Sequence, residues 1–190
     1  MRVFLSMMVA FCVVGSAGPI TYVEQGSESG SLGGVSFTNA LVTITVTGDT
    51  GMVLTPIGSP GLFEDLGTAT VSVAGIGTAT FTDQMEAFDS QTVDWAGISD
   101  HSHSDLITLV TVNPLFASYT LATGIGPVSG STMINSAQSF PTTAGSLILN
   151  SVTGNSTFSA TVPEPGSFVS LAIGLGLIFA LPPTLRKTLV

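Results

Sequence analysis

From Val42 to Thr47 apolar residues and threonines alternate without a break, with Val42, Ile44 and Val46 on one side and Thr43, Thr45 and Thr47 on the other, and Gly48-Asp49 stops the run. A period of two places successive side chains on opposite faces of a strand, so this segment is fitted to a sheet with one buried face and one hydroxyl-bearing face. Thr68 to Val73 and Ile76 to Phe81 read as two more strands about Ala74-Gly75, and both carry Gly-Thr-Ala-Thr. Further strands are expected at Thr21–Gln25, Val35–Phe37, Gly51–Leu54, Thr92–Ile98, Leu106–Val112, Tyr119–Ala122, Ser146–Val152 and Ser156–Val162. Asn113-Pro114 is suited to cap a single helical turn through Ser118. Many short strands with glycine-rich turns predict an all-β chain, with one antiparallel β-sandwich-like domain or a barrel.

Charge narrows the function. The only basic residues are Arg2, Arg186 and Lys187, so residues 18–161 contain no lysine or arginine. They hold every acid except Glu164, eleven of twelve, for a net charge of −11 with both histidines neutral. A nucleic-acid groove or a phosphate clamp needs cations, so nucleic acid is excluded as a partner. An acidic surface attracts cations instead, calcium among them. The single Cys12 lies near the N-terminus, which leaves the central domain without disulfides, thiolate metal sites or thiol nucleophiles.

Residues 1–17 have the parts of a signal peptide. Arg2 supplies the positive charge, Val3 to Val14 is apolar apart from Ser6, and Gly15-Ser16-Ala17 offers small residues for cleavage between Ala17 and Gly18. At the other end Val162-Pro163-Glu164-Pro165 is followed by Gly166-Ser167, an uncharged run from Phe168 to Leu181, a Pro182-Pro183 break and the basic stub Arg186-Lys187. The prolines around Glu164 hold an extended, accessible peptide. The apolar run would rise about 21 Å as a helix, short for a hydrocarbon layer of about 30 Å unless its flanks contribute. The basic pair would remain on the cytoplasmic side.

This tripartite tail resembles the PEP-CTERM sorting signal of Gram-negative bacteria, which is also catalogued as an ice-binding-protein C-terminal domain. The resemblance covers residues 162–190, with a shorter basic cluster and a Pro-Pro interruption as departures. It implies recognition and trimming by an exosortase-like membrane enzyme, after export by the general secretion machinery and transient anchoring through the C-terminal transmembrane helix. It also implies a final place at the cell surface or outside the cell, in association with exopolysaccharide and biofilm matrix. The expected organisation is signal peptide 1–17, exported β-rich domain 18–161 and sorting tail 162–190.

Chemistry within the domain concentrates at Asp100-His101-Ser102-His103-Ser104-Asp105. On a strand, His101 and His103 would share a face about 6.6 Å apart and could bind a divalent metal with Asp100 or Asp105. A hydrophilic loop is the competing and preferred reading. Asp83, Glu86, Asp89 and Asp94 precede this segment; calcium suits clustered carboxylates, but without EF-hand or repeat spacing they read as solvated turns. Trp95 is expected to pack in the core, with stacking on a sugar as the alternative. No G-x-S-x-G elbow and no diagnostic carboxylate spacing is present, so a secreted hydrolase is disfavoured. The expectation is a non-enzymatic structural or adhesive protein without a cofactor, with a metal-binding module as its main rival.

Overall fold

The computed structural model describes residues 17–163. Residues 1–16, where a signal peptide is expected, and Glu164, Pro165, Phe168–Leu181, Arg186 and Lys187 of the expected tail lie outside the described residues. Ten strands follow in chain order: β1 (Pro19–Leu32), β2 (Val35–Asp49), β3 (Leu62–Val73), β4 (Gly77–Thr80), β5 (Met85–Ser90), β6 (Trp95–Asp100), β7 (Leu106–Val112), β8 (Ile125–Met133), β9 (Ser139–Thr142) and β10 (Gly145–Thr161). All pairings between them are antiparallel.

The sheet runs β1-β2-β3-β5-β6-β7-β8-β10 and then returns to β1. That last pairing closes an eight-strand barrel, while β4 adds to β3 and β9 to β10. The chain is therefore all-β as expected, but it forms one closed sheet rather than the expected sandwich. A sandwich needs two sheets with open edges, and here the first strand and the last remove each other's edge. Several short expected strands are parts of longer ones: 35–37 and 40–47 both belong to β2, and 146–152 and 156–162 fall mostly within β10. Residues 51–54 contribute only an isolated bridge from Leu54 to Glu64, and 119–122 form no strand.

Barrel strands of this length must bend, and the register shifts along β1 let it do so, with further ones at Phe158/Ala160 and Ile98/Ser99. Of those along β1, two lie in the β1–β10 ladder, at Gln25/Ser27 and Ser29/Gly30, and one in β1–β2 at Glu28/Gly30. At Gly30 a Cβ would sit 2.0 Å from the Ile148 carbonyl oxygen, so only glycine lets β1 and β10 approach there. The β1–β2 hairpin turns on Gly33-Gly34, both at positive φ (58° and 82°), the geometry that two-residue hairpins require.

Eight strands leave an interior just wide enough for side chains to fill. Ile20, Val42, Ile44, Val46, Val71, Ile98, Leu109 and Leu149 fill it, each with no exposed surface. Where β2 and β3 pair, over 42–47 and 68–73, the outward set is Thr43, Thr45, Thr47, Thr68, Thr70 and Ser72. This is the reverse of a lipid-facing barrel, which puts its apolar residues outside. No helix among the described residues is long and apolar enough to cross a membrane.

Residues 113–121 plug the barrel. Asn113 accepts a hydrogen bond from the Leu115 amide and starts the 3-10 turn Pro114–Ser118, the helical turn expected from Asn113-Pro114. The turn inserts Phe116, and Tyr119 and Leu121 follow it inward. Phe116, Tyr119, Phe158 and Tyr22 meet with ring centroids 5.7–6.4 Å apart. The Tyr22 hydroxyl lies 2.9 Å from the Leu121 carbonyl oxygen and 2.8 Å from Asp65 Oδ2, which ties the plug to the barrel wall.

Candidate functional site

Antiparallel pairing fixes which acids meet. On β5, Met85, Ala87 and Asp89 point inward, and Glu86 and Phe88 outward. Glu86 lies opposite Ser99 on β6, and Phe88 lies opposite Glu64 on β3. Glu64 and Glu86 therefore become diagonal neighbours on the outer wall, where both are buried. The Ser99 hydroxyl donates to Glu86 Oε1 at 2.7 Å. His101 presents Nδ1 at 2.9 Å from Glu86 Oε2 and 3.3 Å from Asp105 Oδ1. One donor atom from each of Glu64, Glu86 and His101 lies within 4.8 Å of the other two.

A groove of about 190 Å³ opens beside this group, with Trp95, Phe88, Leu62 and Ile107 as its apolar walls. Trp95 is half-buried and faces outward into the groove, not into the core where the sequence had placed it. Glu86 is held well above the ordinary carboxylate range, chiefly by burial; the Ser99 hydrogen bond opposes this, and Glu64 and Asp105 add repulsion. Glu64 is raised for the same first reason, with Asp105 adding to it and His101 opposing it.

The two histidines do not share a strand face. β6 ends at Asp100, and His101–His103 form a 3-10 turn capped by Asp100, whose side chain accepts from the Ser102 amide. The turn sends His101 to Glu86 and Glu64, and His103 to a separate group. His103 Nδ1 is 2.8 Å from Asp100 Oδ2 and 3.4 Å from Asp83 Oδ2. The hydrogen bond and the charge of Asp100 raise the His103 pKa. Asp100, His101, His103 and Asp105 are thus neighbours in the chain that divide between two clusters, and Glu64, Glu86 and Asp83 complete them. Glu64 and Glu86 were not singled out as ligands from the sequence, and only the β3–β5–β6 register brings them beside His101.

The acids expected to be solvated include several that are not. Glu86, Asp89 and Asp100 are at most 1% exposed. Inside the barrel, Glu24, Glu28, Asp65 and Asp89 have no exposed surface at all. Thr111 donates to Glu24 Oε1, and Ser156 lies 2.6 Å from the Thr111 hydroxyl, but Glu24 Oε2, both Glu28 oxygens and both Asp89 oxygens lack partners. Burial raises the Glu28 pKa to about 7 and that of Asp89 to about 8, with Asp94 adding to the latter. Glu24 is likewise raised well above its ordinary value by burial, against its hydrogen bonds to Thr111 and Ser156.

At the ends, Ala17 is exposed, and Gly18 is tied to the barrel by its amide to Thr50 Oγ1 at 3.1 Å. Val162 packs against the core and Pro163 is exposed. A comparison with known protein families, with curated proteins and with solved structures finds no match for this chain.

Proposed function

We propose that this chain is an exported cell-envelope or extracellular-matrix protein: a signal peptide (1–17), a non-enzymatic barrel domain (18–161), and a PEP-CTERM-type tail (162–190) on which an exosortase-like membrane enzyme acts. The observation that carries the reading is where the barrel begins and ends. Pro19 starts β1, Thr161 ends β10, and Thr21 pairs with Thr161, so the two flanking segments leave side by side at one point on the barrel rim. A domain built this way can stand on a membrane with both ends turned to the lipid, and trimming at either end cuts no strand. The elements before and after it, Arg2 with its apolar run and the tail with Arg186-Lys187, match the two ends of an export and sorting scheme.

A non-enzymatic role is supported by how the reactive side chains are engaged. Each histidine turns Nδ1 to carboxylates, the Ser99 hydroxyl donates to Glu86, and Ser102 Oγ accepts from the Gln84 amide. No serine–histidine hydrogen bond occurs among the described residues. The groove beside Trp95 suits stacking on a pyranose face, with carboxylates as acceptors for sugar hydroxyls. With a net charge of −11 in the domain, a neutral glycan is the better guest than an anionic one.

Mass spectrometry of the protein from its native host tests the scheme. The expected species starts at Gly18 and ends close to Pro163; one that retains Met1 or Val190 at steady state overturns the corresponding half.

A further inference from the structure

We propose that Glu64, Glu86 and His101 form a binding site for a first-row divalent transition ion, Zn(II) being the one the donor set fits best. Tetrahedral zinc takes nitrogen and oxygen ligands at about 2.0–2.2 Å, which puts adjacent ligand atoms about 3.3 Å apart. His101 Nδ1 sits 2.9 Å from Glu86 Oε2 and 3.3 Å from Asp105 Oδ1, and Glu64 completes the group within 4.8 Å. An imidazole among the donors favours a transition ion over calcium, which prefers an all-oxygen shell. Asp105, with its side chain 54% exposed on the groove side, or a water there, takes the fourth position.

The burial of this group calls for a cation. The Glu86 side chain is 1% exposed and Glu64 is 7% exposed, two carboxylates turned toward each other on the same wall. Glu64 brings a carboxylate oxygen within 4.8 Å of a Glu86 oxygen and a His101 ring nitrogen. No lysine or arginine exists in the domain to neutralise the pair, and two buried carboxylates beside a single imidazole are costly to ionise together. Ser99 holds Glu86 Oε1 and leaves Oε2 directed at His101, the supporting arrangement that orients a ligating carboxylate. The second cluster, Asp83, Asp100 and His103, is set apart because it does not line the groove beside Trp95. An ion at the first site would clamp β3, β5 and the turn after β6 together and fix the wall beside Trp95.

The test uses the untagged full chain in detergent, stripped with EDTA and dialysed against Zn(II). One ion per chain is expected, with an unfolding midpoint raised by roughly 5–10 °C at a hundredfold excess over Kd. Glu64→Gln, Glu86→Gln and His101→Ala should each weaken binding at least about tenfold, His103→Ala should leave it unchanged, and millimolar calcium should not displace the zinc. His101 is 44% exposed, so His101→Ala decides the question even where a glutamate variant fails to fold. Absence of bound zinc, unchanged affinity in His101→Ala, or equal loss in His103→Ala overturns the proposal. None of these outcomes bears on where the chain is trimmed.

Discussion

Glu28 lies in the middle of the barrel with both oxygens unpartnered, and its carboxylate crosses the space above Gly26, where a Cβ would come 2.4 Å from Oε1. A buried polar atom without a partner costs about 1–3 kcal/mol, whereas an apolar group of the same shape costs nothing comparable. Glu28→Met should therefore stabilise the barrel, by roughly 1–2 kcal/mol at pH 8. The gain should shrink at pH 5, where the folded barrel keeps this carboxyl neutral. Urea midpoints at the two pH values measure it, and a destabilised variant at both would show that Glu28 has a partner. Tyr22 gives the opposite sign: its hydroxyl lies between Asp65 and the Leu121 carbonyl, so Tyr22→Phe removes the one O–H that these two buried acceptors share. A loss of about 1–3 kcal/mol in the same assay is expected.

Among the elements, the plug of residues 113–121 stabilises the barrel through one ring. Phe116 is fully buried against Phe158 at 5.7 Å, edge to face. Phe116→Ala should cost about 3–5 kcal/mol, and should raise amide exchange in β1 and β10 near Tyr22 and Phe158 before it does so in β3 or β5. The plug's helical turn was legible because Asn-Pro is a local signal, and β2, β7 and much of β10 were legible because one of their faces is plainly apolar. β5 was not: in Met85–Ser90 the inward set contains Asp89 and the outward set contains Phe88, so neither face reads as polar. β8, with Gly-Pro and Ser-Gly-Ser in nine residues, reads as loop until β7 and β10 pair with it. The candidate site divides the same way. His101, His103 and their aspartates lie together in the chain and could be found by eye, whereas Glu64 joins Glu86 only through the β3–β5 register.

For the molecule as a whole, a domain without lysine or arginine and with buried carboxyls makes stability a matter of protons. Glu24, Glu28 and Asp89 hold their protons more tightly folded than unfolded, since burial raises all three. Between the ordinary carboxylate range near 4 and the raised values of about 7 and about 8, the barrel keeps protons that the unfolded chain has released. Stability is then fully present in acid, falls as pH rises through that window and levels off above it. The urea midpoint should be higher at pH 5 than at pH 8.5, and folding at pH 7 should take up protons from a weakly buffered solution; a flat or rising profile would refute this. Ring closure also has a meaning in time. The strand that seals β1 is β10, the last part of the barrel to be synthesised, and its partners stand as far apart as Thr21 and Thr161. Until β10 emerges, β1 has a free edge and the ring stays open, a chain dominated by distant pairings that forms slowly. Under the proposed export scheme, in which the polypeptide threads a narrow pore before it folds, the delay would be useful: the barrel would lock shut only after β10 had passed.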